Sequence, residues 1–415
     1  MKDTFYFKKI KILKNSTTGI KKDAVLIIKG EIDSFGKDAD KKAMENNIKA
    51  TESGNKLIAP LLVDTHSILE NPLSGFEDDL IRLKKRAKKS GFGTIALLPN
   101  SSNWRDNPEK IPYQKYSKND LNIFFWGSFT LNDDGLFLSP QDDLLSSGVI
   151  GLSSTCFDDL SILFKGLELD LLDSFPLLIS KKNNTEDAFV ERDINSLQAG
   201  LHIRNGFHTK INAKKILELK NYFPHKKIIY KNIFDLQTIK ELQLSKERIF
   251  STISWWNLIA DTNNLKMNDI GWKNDPPIVK PQTREELINS LENNFIDAIA
   301  VNSRPLSDID VFTAINQRKS GISAFELVLP LLWDELVTKR SWDASKLWRH
   351  LSFIPSKLLG IPEEKISVGT RRWLMFDPDI TWKNTQSNLG YDSPSNIPKK
   401  DQLIKGFITS YGLEL

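Results

Sequence analysis

The sequence predicts an α/β fold: a (β/α)8 barrel with a small β-sheet domain formed from the N- and C-terminal segments. Three observations carry this. The first is an apolar run at residues 57–70, LIAPLLVDTHSILE, which is interrupted by Asp64, Thr65 and His66. An apolar run of strand length, bounded by Gly54 and Pro72, fits a strand buried on both faces, and residues at the C-terminal end of such a strand face a barrel mouth. The second is a set of eight strand candidates mostly separated by helical patterns. The third is the return of strand-and-turn patterning at both ends of the chain.

Residues 5–35 read as short strands, IKILKN and AVLIIKGEI, with turns at Ser16-Thr17-Thr18-Gly19 and at Gly30. A small antiparallel sheet is expected there. Residues 38–53 are charged and nearly free of large apolar side chains, which suits an exposed connection or a short helix. In 76–90, Phe76, Leu80, Leu83 and Ala87 recur at helical spacing and Gly91 supplies a stop. Arg82, Lys84, Lys85, Arg86, Lys88 and Lys89 lie mainly on the other face, read as a solvated face with an anionic partner as the alternative.

The remaining strand candidates are 94–98, 122–130, 148–155, 176–180, 200–205, 227–231 and 296–301, with helices over 158–172 and 213–221 between them. Helical patterns extend to about Leu359, and 365–368, 372–378 and 407–410 read as strands again. The division is therefore 1–56 for the first part of the sheet domain, 57–360 for the barrel and 361–415 for the second part.

At 415 residues the chain is long enough for a barrel with an accessory domain. Lys plus Arg exceed Asp plus Glu by only 57 to 53, giving a net charge of +4 and no case for nucleic acid or an anionic membrane. A single cysteine, Cys156, excludes an intramolecular disulfide and a cysteine-rich metal site. No apolar signal-peptide core occurs in residues 1–9 and no run of 18 apolar residues occurs elsewhere, so a cytoplasmic location is expected. Five histidines, His66, His202, His208, His225 and His350, are a thin supply for a His-rich metal centre. The ten tryptophans, Trp255-Trp256 among them, read as core and interface filler.

Four ordered motifs carry a resemblance: GFGTIALLPN (91–100), KNDPPI (273–278), GISAFELVLPLL (321–332) and LMFDPDITW (374–382). Together with Asp64-x-His66 and Pro72 they resemble the dihydroorotase branch of the amidohydrolase superfamily, and the likeness covers most of the chain. The resemblance implies a metal-dependent cyclic amidohydrolase on a barrel scaffold. The positions that would carry the chemistry depart from it. The second histidine of the metal-binding pair falls on Ile68, and the substrate-binding Arg on Glu70. Ligand positions after the fourth and fifth strands fall near Ser154 and Ser180. The sixth-strand histidine falls around Gly206, between His202 and His208. Asn302 stands at the position of the general acid/base Asp, Asp275 replaces an Asn, and Val279 a substrate-side Arg. Asn100 matches the substrate-binding Asn.

These changes matter chemically. Metal coordination lowers the pKa of water from about 15.7 to about 7, so loss of the metal removes the nucleophile. Catalytic zinc sites keep three protein ligands and one open position, and only His66 is a clear remnant. Asn302 cannot take or return a proton, which removes a contribution of roughly 10²–10⁴-fold, and Glu70 in place of Arg turns attraction for an anionic substrate into repulsion. Plainer roles compete at each position: His66 as a hydrogen-bonded relic, Asp64 as a backbone acceptor at a strand end, Asn100 as a turn residue after Pro99.

The expectation is a metal-free, catalytically degenerate dihydroorotase-like protein, a pseudoenzyme retained as a structural or regulatory partner in pyrimidine biosynthesis. The resemblance points to aspartate carbamoyltransferase or an active dihydroorotase as the partner, and to a small pyrimidine-like ligand for the emptied pocket. The alternative is an active dihydroorotase, or related cyclic-amide hydrolase, with zinc held by His66 plus His202 or His208.

Overall fold

The computed structural model describes residues 4–69, 75–113, 116–155, 160–169, 175–180, 189–204, 207–265, 269–390 and 393–414, with the side chains of 207–209 left aside. The N-terminal segment supplies β1 (Phe5–Ile12), β2 (Lys21–Ile28), β3 (Glu31–Phe35) and β4 (Leu57–Pro60). Eight parallel strands follow: β5 (Leu62–Ile68), β6 (Phe92–Leu98), β7 (Asn122–Ser128), β8 (Gly151–Ser154), β9 (Leu177–Ile179), β10 (Ile228–Tyr230), β11 (Phe250–Ser254) and β12 (Ala298–Ala300). They pair in sequence order, and the Ile68 N–H donates to the Ser303 carbonyl at 2.7 Å, tying the first strand to the chain just past the last. A TIM-type barrel results.

The chain ends in β13 (Trp373–Lys383) and β14 (Leu403–Tyr411), which join the N-terminal strands in one sheet of order β14-β13-β4-β1-β2-β3. This sheet is mixed: β4 runs parallel to β1 and antiparallel to β13. Leu57–Pro60 therefore belongs to the sheet domain and the barrel begins at Leu62. The apolar run serves two sheets. Both halves are buried, so no change in polarity marks the break at Leu61.

The barrel register also differs from the sequence reading. Residues 200–204 contribute only an isolated bridge between Ile203 and Val190. The sixth strand is β10, within the candidate at 227–231, and the seventh is β11, FSTIS, which none of the strand candidates covers.

Inside the barrel, Val63, Ala96, Trp126, Leu178, Ile229 and Ala298 pack with Leu358 and Leu359 from the helix Ile354–Leu359. The preceding turns seal the same end: Trp348 Nε1 donates to the Pro60 carbonyl at 2.8 Å, Ser352 Oγ to Leu61 at 2.6 Å, and His350 Nδ1 to Asp297 at 2.8 Å.

The helix Phe76–Lys89 buries Leu80, Leu83 and Ala87 as its spacing predicts. Gly91 ends it with φ 75°, where an added Cβ would lie 2.6 Å from Leu374 Cδ2. Its basic face is not uniformly solvated, because Arg86 and Lys88 are buried. Arg86 makes a fork of 2.7 and 2.9 Å with Glu326, and Lys88 pairs with Asp120 at 2.8 Å. Trp255, Trp256, Trp348 and Trp373 are fully buried, as core filler should be. No described helix is long and apolar enough to cross a membrane.

Candidate functional site at the barrel mouth

The C-terminal ends of the barrel strands converge on His66. Its imidazole is fully buried, with Nε2 2.9 Å from Thr252 Oγ1 on β11. The same hydroxyl accepts the Asn232 N–H at 2.9 Å, so one nitrogen of the ring is fixed by a tight chain of contacts. Nδ1 is buried with no hydrogen-bond partner, although Asn302 lies close enough to favour protonation slightly. Burial first, and then the charge of Lys231, hold this imidazole well below the usual histidine range, so it is neutral at pH 7.

Asp64 is also fully buried, but its role is structural. Its Oδ1 accepts the Val301 N–H at 2.8 Å, and the Ser67 hydroxyl donates to Oδ2. Ser67 Oγ in turn accepts the Ser303 N–H at 2.9 Å, so the carboxyl is the centre of a clasp between β5 and the chain leaving β12. Burial pushes the carboxyl up to about 7 against the pull of these hydrogen bonds.

Lys231 is the residue that sequence reasoning overlooked. It directly follows β10, two positions beyond Ile229, whose side chain lies inside the barrel, and strand alternation sends both the same way. Its N–H donates to the Ile179 carbonyl at 2.8 Å. Among the described residues the ammonium has neither a hydrogen bond nor an ion pair. Burial lowers its pKa, Asp275 and Asp133 push it back up, and Arg304 pushes it down. The signal was present in the candidate at 227–231, but it was read one strand too late to be aimed at this position.

Asn302 is buried in the left-handed region, φ 50°, and its Nδ2 donates to the Asp275 carbonyl at 2.6 Å. Asn100 uses both ends of its amide locally: Nδ2 donates to the Leu69 carbonyl at 2.7 Å, and Oδ1 accepts the N–H groups of Ser102 at 2.9 Å and Asn103 at 3.2 Å. That is an Asx turn. Ser154 ends β8, and its carbonyl accepts the Ser180 N–H at 3.0 Å. Ile68 packs against the apolar interior.

His202 is exposed, on the stretch that bridges to Val190. Glu70, Pro72, Cys156, Gly206 and the His208 side chain lie outside the described residues. Among the described residues no three His, Cys, Asp or Glu side chains converge. Among the described residues the donors do not assemble the three protein ligands that a catalytic zinc needs: one imidazole nitrogen of His66 is taken by Thr252, and the positive charge of Lys231 acts on the same ring.

No family model matches the chain. In fold, it superposes on L-hydantoinase (dihydropyrimidinase) from Arthrobacter aurescens with a TM-score of 0.70 at 16% identity, covering 98% of this chain and 97% of that one. A D-hydantoinase (dihydropyrimidinase) from Thermus sp. gives a TM-score of 0.69 at 15% identity, covering 99% and 94%. The fold is thus the one that these hydantoinase barrels share.

Sequence narrows it. The chain is 26% identical over 399 residues to a probable dihydroorotase-like protein of Synechocystis sp., covering 86% of this chain and 88% of the relative. It is 23% identical over 425 residues to a dihydroorotase of Caldicellulosiruptor saccharolyticus, covering 97% and 95%. In sequence, the chain is thus similar to dihydroorotases and to a dihydroorotase-like protein over most of its length.

Proposed function

We propose that this protein keeps the dihydroorotase scaffold without its metal-dependent hydrolysis, and acts as a binding or structural partner in pyrimidine biosynthesis. The observation that carries the reading is Lys231: a partly buried ammonium at the end of the sixth barrel strand, facing a neutral His66. Asn302 supports it, because an amide donating to the Asp275 carbonyl cannot cycle a proton. In this reading the described residues at these positions supply neither a set of metal ligands for a metal hydroxide nor a carboxylate at Asn302 to take the proton, the two things that hydrolysis of a cyclic amide needs.

What remains is recognition. Lys231 offers three N–H donors and a positive charge, and the unpartnered His66 Nδ1 offers one further hydrogen bond. Together they suit a small pyrimidine-like molecule bearing a carboxylate, held and not turned over. Aspartate carbamoyltransferase or an active dihydroorotase is the partner to which such a subunit would attach.

Incubation with dihydroorotate, followed by chromatography for carbamoyl aspartate, tests the first half. The expected result is no turnover above the uncatalysed rate, and zinc-dependent turnover would overturn the proposal. Co-purification with each of the two enzymes from the same cells tests the second half, and failure to associate with either removes the partner role.

A further inference from the structure

We propose that the cleft between the helix Phe76–Lys89 and the β13–β14 hairpin is a binding site for a small amphipathic anion, a molecule with a flat apolar ring system and one or two negative charges. The cleft has a volume of about 350 Å³ and shares no residue with the barrel mouth. That volume is within the range of about 300–1,000 Å³ typical of small-molecule sites, which favour junctions between structural layers such as this one between barrel and terminal sheet.

The floor is apolar and partly aromatic. Trp382 and Phe407 pack edge to face with centroids 5.9 Å apart, and Ile408 and Leu389 extend the surface. Trp382 Nε1 donates to the Gly406 carbonyl at 2.9 Å, which fixes the indole, while Phe407 stays 43% exposed. A fixed indole beside an open phenyl ring suits a planar apolar body, which stacks on it or meets it edge-on.

The rim is cationic, and among the described residues part of that charge has no partner. Arg86 is held by Glu326, Arg82 pairs with Asp79 at 2.8 Å, and Lys88 pairs with Asp120 at 2.8 Å. Lys85 and Lys89, one turn apart, also line the cleft, and neither has an ion pair or hydrogen bond among the described residues. Like charges four residues apart on a helix repel. The acid in the lining, Glu326, is already engaged by Arg86, which leaves these two ammonium groups available to an external anion. In the wall, Ser393 Oγ is shielded from solvent and has no hydrogen-bond partner, which supplies one further polar contact for the ligand.

Free carboxylates and free phosphates share this chemistry, and a titration of the intact chain separates them. Calorimetry with 2-naphthoate and with adenosine 5′-monophosphate, beside the uncharged 2-naphthalenemethanol and adenosine, is expected to show saturable one-to-one binding of at least one anion and much weaker binding of its neutral counterpart. The double variant Lys85→Glu/Lys89→Glu, altered only at exposed positions, is expected to weaken that binding by at least about tenfold through loss of charge-assisted contacts, with an unchanged Tm. Phe407→Ser is expected to weaken it also, and Lys84→Glu, outside the cleft, to leave it unchanged. Equal affinity for the neutral molecules, equal affinity in the double variant, or no saturable binding of either anion would overturn the proposal. A loss of dihydroorotate-type recognition at Lys231 would leave this result untouched, so the two sites fail independently.

Discussion

The two ends of the barrel obey different rules. At the strand starts, Val63 and Ala298 pack in one cluster with Leu358 and Leu359, and the carbonyls of Pro60, Leu61 and Asp297 each receive a side-chain donor. At the strand ends lie a buried His66 nitrogen and a buried Ser254 hydroxyl without hydrogen-bond partners, a fully buried carboxyl and a desolvated lysine. Unmade hydrogen bonds of this kind cost about 1–3 kcal/mol each. The closed end is not free of such atoms, since His350 Nε2 is also buried without a partner among the described residues. The contrast lies in kind: the closed end is apolar packing and backbone bonds, while the open end gathers ionisable groups, of which Asp64 serves the clasp and His66 and Lys231 are left for a bound molecule.

Four substitutions break or sharpen that contrast, and the largest effect belongs to the apolar barrel interior. Trp126→Ala removes a fully buried indole and its 3.0 Å bond to the Thr65 carbonyl, and should cost about 3–5 kcal/mol in denaturant unfolding. Arg86→Met leaves Glu326 half-buried without its guanidinium, and the expected loss is about 3 kcal/mol. A loss below about 1 kcal/mol, the range of surface pairs, would show that this ion pair is not part of the scaffold.

Asp64→Asn is a test in pH. The folded protein holds the Asp64 proton up to about 7, whereas the ordinary aspartate value is 3.8. Between those values the folded state binds the extra proton, so this group's contribution to stability falls as pH rises and levels off above about 7. The Tm of the variant relative to the native chain should therefore climb from pH 4 to pH 7 and then stay level. A flat difference across that range would mean that the clasp holds a charged carboxylate.

Lys231→Met has the smallest effect on folding and the opposite sign. Removing a desolvated ammonium that has no hydrogen bond among the described residues should stabilise by on the order of 1 kcal/mol, while abolishing any thermal shift given by pyrimidine carboxylates. Destabilisation would place Lys231 in the scaffold.

Much of the scaffold was legible because burial writes itself in apolar runs: residues 62–68 and 92–98, and the helical spacing of Leu80, Leu83 and Ala87. The break at Leu61 was invisible, because a strand buried in one sheet has the same apolar signature as a strand buried in another. β11 was hidden by its own hydroxyls, three in the five residues FSTIS, which leave no apolar run; Thr252 is the one that meets His66. Losing that strand displaced the sixth strand onto 200–205, directed attention to His202 and His208, and concealed Lys231. Arg86 and Lys88 were hidden for a different reason, since their partners Glu326 and Asp120 are distant in sequence. At the mouth, the positions of His66, Asn302 and Asn100 followed from motif alignment, whereas the Thr252 contact depended on a strand that the pattern did not reveal.

Metal stoichiometry tests the central claim most directly. Protein purified from zinc-supplemented cells, without chelators or a polyhistidine tag, should contain close to no zinc or other transition metal per chain by elemental analysis. One or two such ions per chain, accompanied by hydrolysis of dihydroorotate, would contradict the account.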